Sequence, residues 1–313
     1  MPDMNKVKHY DDKYDFAPGA ENFPPMVILA YTYVCNSRCP YCPYTADPTA
    51  RKKHADARYM SDETFIKIAD EAGKHGALLR ITGGGEPFLH KNIVKHMRYA
   101  VKVGCKVSII TNGSKDVSEL IDVVDMIEFS VDAGKEEDYL IARPGLDWST
   151  LNKNVNEAIK KRKKTRIIAS IIKQKGIDVD LAQKHWSFVD AVQVRKFLSF
   201  NTSQDNSADK SAYLPPEKSI PCPWLWDRIL INTKGEFTVC NIDVAFEHKF
   251  SSLDKESIAQ AWRGPVLEDM RKKHLDGKIN EIPICSGCKD LKYRSWKYSY
   301  FKLREYANSN HTT

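Results

Sequence analysis

Three cysteines fall in one short run, Cys35-Asn36-Ser37-Arg38-Cys39-Pro40-Tyr41-Cys42, with the spacing C-x3-C-x2-C. Three clustered thiolates suit a cubane iron–sulfur cluster with one iron left without a protein ligand, whereas structural zinc and a closed cluster both want a fourth ligand. An iron with an open position can bind a small molecule and pass it an electron, so the run predicts an enzyme rather than a structural knuckle. A second constellation is Thr82-Gly83-Gly84-Gly85-Glu86-Pro87. Its glycines let the backbone approach a ligand closely, and Glu86 offers an acceptor for an amino group; the bland alternative is a glycine-rich turn. A third is Cys222, Cys240, Cys285 and Cys288, spaced C-x17-C-x44-C-x2-C. By ligand count alone it is equally a four-thiolate zinc site or a second iron–sulfur cluster. The remaining thiol, Cys105, reads as a buried core cysteine.

The elements that must position these groups follow from hydrophobic pattern. Short runs rich in Val, Ile, Tyr and Phe predict strands at Met26–Val34, Ala77–Thr82, Lys106–Thr111, Met126–Val131, Arg166–Lys173 and Ala191–Ser199. Between them, Ser61–Lys74, Asn92–Val103, Asp116–Val123, Ser149–Lys163 and Asp178–Phe188 read as amphipathic helices, the first with Ser61 as N-cap and Phe65, Ile68, Ala69 and Ala72 on one face. Six βα units predict an α/β fold on a parallel sheet, either an open doubly wound sheet or a barrel. In both, chemistry sits at the carboxyl ends of the strands, the face on which the first cysteines fall. Met1–Pro25 reads as an arm and Asn201–Pro216 as a polar linker. A hairpin follows at Arg228–Asn232 and Glu236–Val239, with helices at Lys255–Arg263, Pro265–Leu275 and Leu291–Tyr306.

The 313 residues hold 42% hydrophobic and 28% charged residues, ordinary for a soluble protein. No apolar run is long enough to span a bilayer and no signal-peptide pattern opens the chain, so a cytoplasmic location is expected, where eight cysteines suggest metal before disulfides. The net charge of +7 includes the run Lys160–Lys164, read as a solvated helix end; no nucleic-acid motif accompanies it, and neither nucleic acid nor membrane is expected as a partner. His54, His75, His90, His96, His185, His248 and His274 show no metal-ligand spacing and read mostly as surface residues; Trp224 and Trp226 read as core.

The cysteine run after the first strand, followed by Gly84-Gly85-Glu86-Pro87 after the second, resembles radical S-adenosylmethionine (SAM) enzymes over roughly residues 26–199. The resemblance implies a partial (β/α)6 TIM-type barrel. Cys35, Cys39 and Cys42 would hold a [4Fe–4S] cluster whose open iron binds the amino and carboxylate groups of SAM. Tyr41 would pack near the adenine, and Gly84, Gly85 and Glu86 would hold the methionine amino end. Ser130 and Asp132 would lie near the ribose or methionine, and Arg143 would pair with the SAM carboxylate; a helix cap and a surface ion pair are the plain alternatives for Asp132 and Arg143. In such enzymes the reduced cluster cleaves SAM to methionine and a 5′-deoxyadenosyl radical, which takes a hydrogen atom from the substrate.

The later cysteines resemble the shortened SPASM-type extension called a twitch domain, which implies one auxiliary [4Fe–4S] cluster on Cys222, Cys240, Cys285 and Cys288. The expected organisation is an arm (1–25), a barrel (26–205) and a small α+β twitch or SPASM-like domain (206–313). The expected function is oxidation of a small, carbohydrate-like substrate such as an aminocyclitol, the second electron leaving through the auxiliary cluster; the short segment before the barrel favours that over a peptide. An electron-donor protein such as flavodoxin or ferredoxin would reduce the enzyme. Tyr33 and Arg195 are candidate substrate contacts. Rival expectations are a peptide-modifying enzyme, a redox-neutral sugar epimerase or lyase, and a non-catalytic iron–sulfur or zinc-binding regulator. Cys105, at the start of its strand, is poorly placed to return a hydrogen atom, which disfavours an epimerase.

Overall fold

The computed structural model describes residues 20–46, 49–197, 221–286, 288 and 290–291. Six parallel strands carry the first part: β1 (Met26–Thr32), β2 (Leu78–Gly84), β3 (Lys106–Thr111), β4 (Met126–Ser130), β5 (Arg166–Lys173) and β6 (Ala191–Lys196). They pair in chain order, β1 to β6, and build the partial (β/α)6 barrel. Helices α1 (Pro43–Ala46), α2 (Thr49–Lys53), α3 (Asp62–Lys74), α4 (Ile93–Lys102), α5 (Glu136–Ala142), α6 (Trp148–Lys161) and α7 (Val179–His185) connect them.

Alternate residues of β1 serve two cores. Val27, Leu29 and Tyr31 pack outward against the helix layer, including Phe65 and Ile68 of α3, while Met26, Ile28 and Ala30 gather with Leu78 and Leu230 in a separate interior cluster. Burial on both sides explains why the strand is a continuous apolar run. Helix α3 starts where Ser61 accepts the Thr64 N–H at 3.0 Å and buries the four residues of its predicted face.

Three expectations change. Asp116–Val123 forms only a short 3-10 turn, Ser118–Leu120. Asp122 takes a left-handed conformation (φ 61°), and its carboxylate accepts the N–H groups of Lys163, Lys164 and Thr165 instead of extending a helix. Within the expected arm, residues 20–25 are packed: Phe23 stacks on His75 at 4.4 Å, and the Ala20 carbonyl accepts Trp262 Nε1–H at 2.7 Å. Four histidines expected at the surface, His54, His90, His96 and His274, are buried. The expected linker Asn201–Pro216, and the expected last helix beyond Leu291, lie outside the described residues, as do residues 1–19.

After residue 221 come α8 (Trp224–Asp227), β7 (Arg228–Ile231), β8 (Glu236–Thr238), β9 (Ser251–Ser252), α9 (Ile258–Trp262) and α10 (Pro265–Leu275). The predicted hairpin β7–β8 is present. It also joins the barrel sheet: β7 pairs in parallel with β1, Met26 opposite Arg228 through Leu29 opposite Ile231. Glu71 of α3 strengthens that junction by accepting the Ile258 and Ala259 N–H groups at the start of α9, at 2.9 and 2.8 Å. No helix among the described residues is long and apolar enough to cross a membrane.

Candidate functional site

The cysteine loop leaves β1 at the carboxyl end of the barrel, and three neighbouring segments pin it. From β2, Glu86 N–H donates to the Val34 carbonyl at 2.8 Å. A Cβ on Gly84 would stand 2.4 Å from the Thr32 carbonyl oxygen, and one on Gly85 would stand 2.1 Å from that of Val34. These two glycines therefore admit the backbone that leads into the cysteine loop, a close approach of protein to protein. From the end of β3, Asn112 Nδ2 donates to Asn36 Oδ1 at 2.9 Å. From the segment after α5, the Pro144 carbonyl accepts Ser37 Oγ–H at 3.0 Å.

Glu86 is buried and already committed. Oε1 accepts Thr111 Oγ1–H at 2.8 Å and Phe88 N–H at 3.1 Å, and Oε2 accepts Asn112 N–H at 2.6 Å. Burial pushes its carboxyl above the usual range although these bonds oppose the shift. Its evident work is to tie the ends of β2 and β3 beneath the loop. Thr111, Asn112 and Asn36 were not singled out from sequence, because nothing local marks bonds between separate strand ends.

Asp132 is fully buried, at φ 57°. Its Oδ2 accepts Tyr41 Oη–H at 2.5 Å and pairs with Arg143 Nε and Nη2 at 2.9 and 2.8 Å; its Oδ1 accepts the Ile172 N–H of β5 at 2.8 Å. It is neither a helix cap nor in a surface pair. Arg143, also buried, lies 5.7 Å from the Tyr41 ring centre, and its Nη1 lies 3.9 Å from Cys39 Sγ. Burial disfavours the guanidinium charge, but Asp132, together with Tyr41, Cys39 and Tyr139, outweighs that and holds its pKa above the ordinary value. Ser130 ends β4, half-buried, opposite Ser170.

None of the eight cysteines is paired in a disulfide. Cys39 is buried and Cys35 and Cys42 half-buried; burial pushes the latter two thiols up. Three thiols on one pinned loop, with a cation facing one sulfur, fit a negatively charged thiolate-ligated cluster. In the second set, Cys222 N–H donates to His274 Nδ1 at 3.2 Å, and Nε2 of the same ring lies 3.4 Å from Cys285 Sγ. Burial lowers the His274 pKa to about 4, which keeps the ring neutral. Cys240 packs on the small core of Leu225, Trp226, Val239, Trp262 and Leu267, and Cys288 N–H bonds the Cys285 carbonyl. Among the described residues, no three His, Cys, Asp or Glu side chains lie as they would around a single metal ion.

Cys105 donates its S–H to the Ala69 carbonyl at 3.3 Å on the outer side of the sheet, and burial raises its pKa to about 12, as a core thiol should show. Tyr33 is buried in the interior cluster, stacked on His54 at 4.1 Å, its hydroxyl without a hydrogen-bond partner among the described residues.

The family model of the Radical SAM superfamily matches residues 29–180, and that of an iron–sulfur cluster-binding domain, SPASM, matches residues 222–289. The antilisterial bacteriocin subtilosin biosynthesis protein AlbA of Bacillus subtilis is 24% identical over 93% of this chain and 73% of its own. A PqqA peptide cyclase of Ruegeria pomeroyi is 34% identical over 28% of this chain, a match that spans only 23% of the cyclase. Among solved structures, Streptococcus suis SuiB bound to precursor peptide SuiA superposes with a TM-score of 0.62, at 14% identity, over 80% of this chain and 67% of SuiB. BtrN in complex with AdoMet and 2-DOIA gives 0.54, also at 14%, over 85% of this chain and 93% of BtrN. These structural likenesses speak to the fold.

Proposed function

The chain belongs to the radical SAM superfamily and carries a SPASM-type cluster domain, and from that premise we propose that it modifies a peptide by radical chemistry. Its cofactors are SAM and [4Fe–4S] clusters. The observation that carries the peptide reading is the match to AlbA along 93% of this chain, a span that includes both cysteine sets. The names of the PqqA peptide cyclase and of SuiB with its precursor peptide support it. The expected small-carbohydrate oxidation stands second, favoured by the likeness to BtrN over nearly all of that chain.

When bound, the first cluster with SAM supplies a hydrogen-abstracting 5′-deoxyadenosyl radical, and the auxiliary cluster supplies an acceptor for an electron leaving the substrate. The chain's own residues do the rest. Cys35, Cys39 and Cys42 would hold the first cluster, and Cys222, Cys240, Cys285 and Cys288 the second. Arg143, held by Asp132, offsets negative charge on the sulfur side, and Tyr41 shares that carboxylate. Glu86, Gly84 and Gly85 hold the loop in register with the strand ends, where the SAM methionine end would lie beside them and Ser130. The buried walls exclude water from the radical. An electron-donor protein such as flavodoxin or ferredoxin would reduce the enzyme.

The test is anaerobic reconstitution followed by reduction with SAM and a panel of short candidate peptides. About eight irons per chain, 5′-deoxyadenosine, and a peptide that loses a pair of hydrogens are expected. Oxidation of a cyclitol or sugar with every peptide unchanged would select the second reading.

A further inference from the structure

The barrel interior holds a charge cluster that the cofactor-binding residues do not use. Arg80 of β2 donates Nη1–H to Ser108 Oγ of β3 at 3.2 Å and Nη2–H to Glu128 Oε2 of β4 at 2.7 Å. Arg195 of β6 reaches the same carboxylate, with Nη2 at 2.8 Å from both oxygens, and bonds Ser170 Oγ and Gln193 Oε1 through Nε and Nη2. Glu128 and Arg80 are buried, their side chains 2% and 6% exposed, while that of Arg195 is 41% exposed. Two guanidinium groups share one carboxylate, and the neighbouring Arg228 already has its own partner in Asp227. The cluster therefore keeps one positive charge in excess. The buried pair Arg80 and Glu128 balance each other, so the excess falls on the solvent-open Arg195, where an arriving anion can answer it.

The excess has a direction. Arg195 Nε and Nη2 have partners, but Nη1 has none among the described residues, and Arg195 is the member open to solvent. It also has a position. In the sheet register Arg195 stands opposite Ile172, whose N–H is bonded to Asp132. Two residues further along the chain, Phe197 packs with Cys39 and Tyr41. The free edge of Arg195 thus lies inside the barrel close beneath the cysteine loop, at the carboxyl ends of the strands where a reacting group must sit.

We propose that Arg195 is the substrate-anchoring residue of this enzyme, its Nη1 edge binding a carboxylate of the substrate. Glu128 and Ser170 are positioning residues: they fix the guanidinium plane so that Nη1 points away from the wall. Arginine suits the task because its donors are fixed in a plane and keep their charge at any physiological pH. With a peptide substrate, the group is an Asp or Glu side chain or a free carboxyl terminus near the reacting residue. In that form the inference rests on the peptide reading above; the methionine carboxylate of SAM is the competing source of the same chemistry.

The experiment uses the reconstituted holoenzyme with SAM bound and calorimetric titration of three probes: acetyl-Ala-Glu-Ala-amide, acetyl-Ala-Gln-Ala-amide and glucuronate. The Glu peptide is expected to bind about tenfold or more tightly than the Gln peptide, the worth of one charged hydrogen bond. Arg195→Gln should erase that preference, Arg195→Lys should keep part of it, and SAM affinity by equilibrium dialysis should stay unchanged in both. Melting curves of the two variants check that the Arg80–Glu128 pair still holds the barrel. If glucuronate binds through Arg195 while the two peptides bind alike, the carboxylate site stands and the peptide reading falls. The proposal is overturned if no probe shows a carboxylate preference, if the preference survives in Arg195→Gln, or if the loss falls on SAM.

Discussion

Asp132 holds Arg143 against the sulfur of Cys39. The carboxylate takes Nε and Nη2 of the guanidinium, which leaves Nη1 facing Sγ at 3.9 Å. The same carboxylate receives the Tyr41 hydroxyl from the cysteine loop and the Ile172 N–H from β5. One side chain therefore fixes the loop, the cation and a strand end together, and Asp suits its left-handed backbone better than most residues do.

Asp132→Asn keeps the backbone preference and the acceptor for Ile172 but removes the charge. An unpaired Arg143 would remain in a buried site, and a loss of about 3 kcal/mol in unfolding free energy is expected. Denaturant titration of the metal-free chain measures it. Iron counting on the reconstituted variant should show the first cluster depleted, and normal stability with full iron would contradict the arrangement.

The glycines supply a second prediction. Gly84→Ala and Gly85→Ala each drive a methyl group into a carbonyl oxygen of the β1 exit, and backbone does not yield as a flexible side chain would. Each should cost more than about 2 kcal/mol and displace the cysteine loop. Gly176→Ala shares the positive φ of Gly84 but has open space around it, so only the conformational cost of about 1 kcal/mol is expected. Thermal melts of the three variants compare them directly.

The sequence made the barrel legible because strands buried on both faces leave long apolar β-branched runs, and β3 and β5 match their predicted bounds, Lys106–Thr111 and Arg166–Lys173. Helix α5 was not legible: Leu140 and Ile141 lie 48% and 60% exposed, so Glu136–Ala142 shows no clean apolar stripe. The pairing of β7 with β1 was hidden for another reason. It joins residues about two hundred positions apart, and no local pattern records it. At the site, the family resemblance pointed to Asp132 and Arg143 but not to their mutual bond. Glu86 was expected to offer a free acceptor, whereas the structure gives its carboxylate three partners from the protein itself.

The Glu128 cluster predicts a pH dependence. Burial alone would raise its pKa, but Arg195 and Arg80 outweigh burial and bring it to about 2, below the ordinary 4.5. A carboxyl depressed on folding contributes stability that is complete above the ordinary value and is lost as pH falls through the folded one. Wild-type stability should therefore drop between about pH 4.5 and 2. Glu128→Gln should be about 3 kcal/mol less stable at pH 7 and show a shallower acid slope. Urea midpoints at a series of pH values test both, and parallel slopes would refute the assignment.

Glu71 tests how the two parts of the chain are joined. Its carboxylate receives two N–H groups at the start of α9 from across the molecule. Glu71→Ala leaves both donors to water and should cost about 1–2 kcal/mol. Glu71→Gln keeps one acceptor and should lose less. Hydrogen exchange should quicken first at Ile258 and Ala259, with the amides of β3 and β4 unaffected; uniform quickening would mean that Glu71 supports the whole fold instead.

His274 bears on the second cysteine set. Its Nδ1 accepts the Cys222 N–H, so the ring proton is fixed on Nε2, which faces Cys285 Sγ at 3.4 Å. With Cys285 as a ligand of the proposed second cluster, an N–H aimed at its sulfur would hold the ligand in place and ease its negative charge. His274→Phe fills the same space without either bond and should release iron from the second site about tenfold faster, in line with other lost outer-shell partners. The first site should keep its iron. Chelator challenge followed by iron counting and electron paramagnetic resonance separates the two clusters. Equal loss from both would show that the ring supports folding, and unchanged retention would show that its bond to Cys285 is idle.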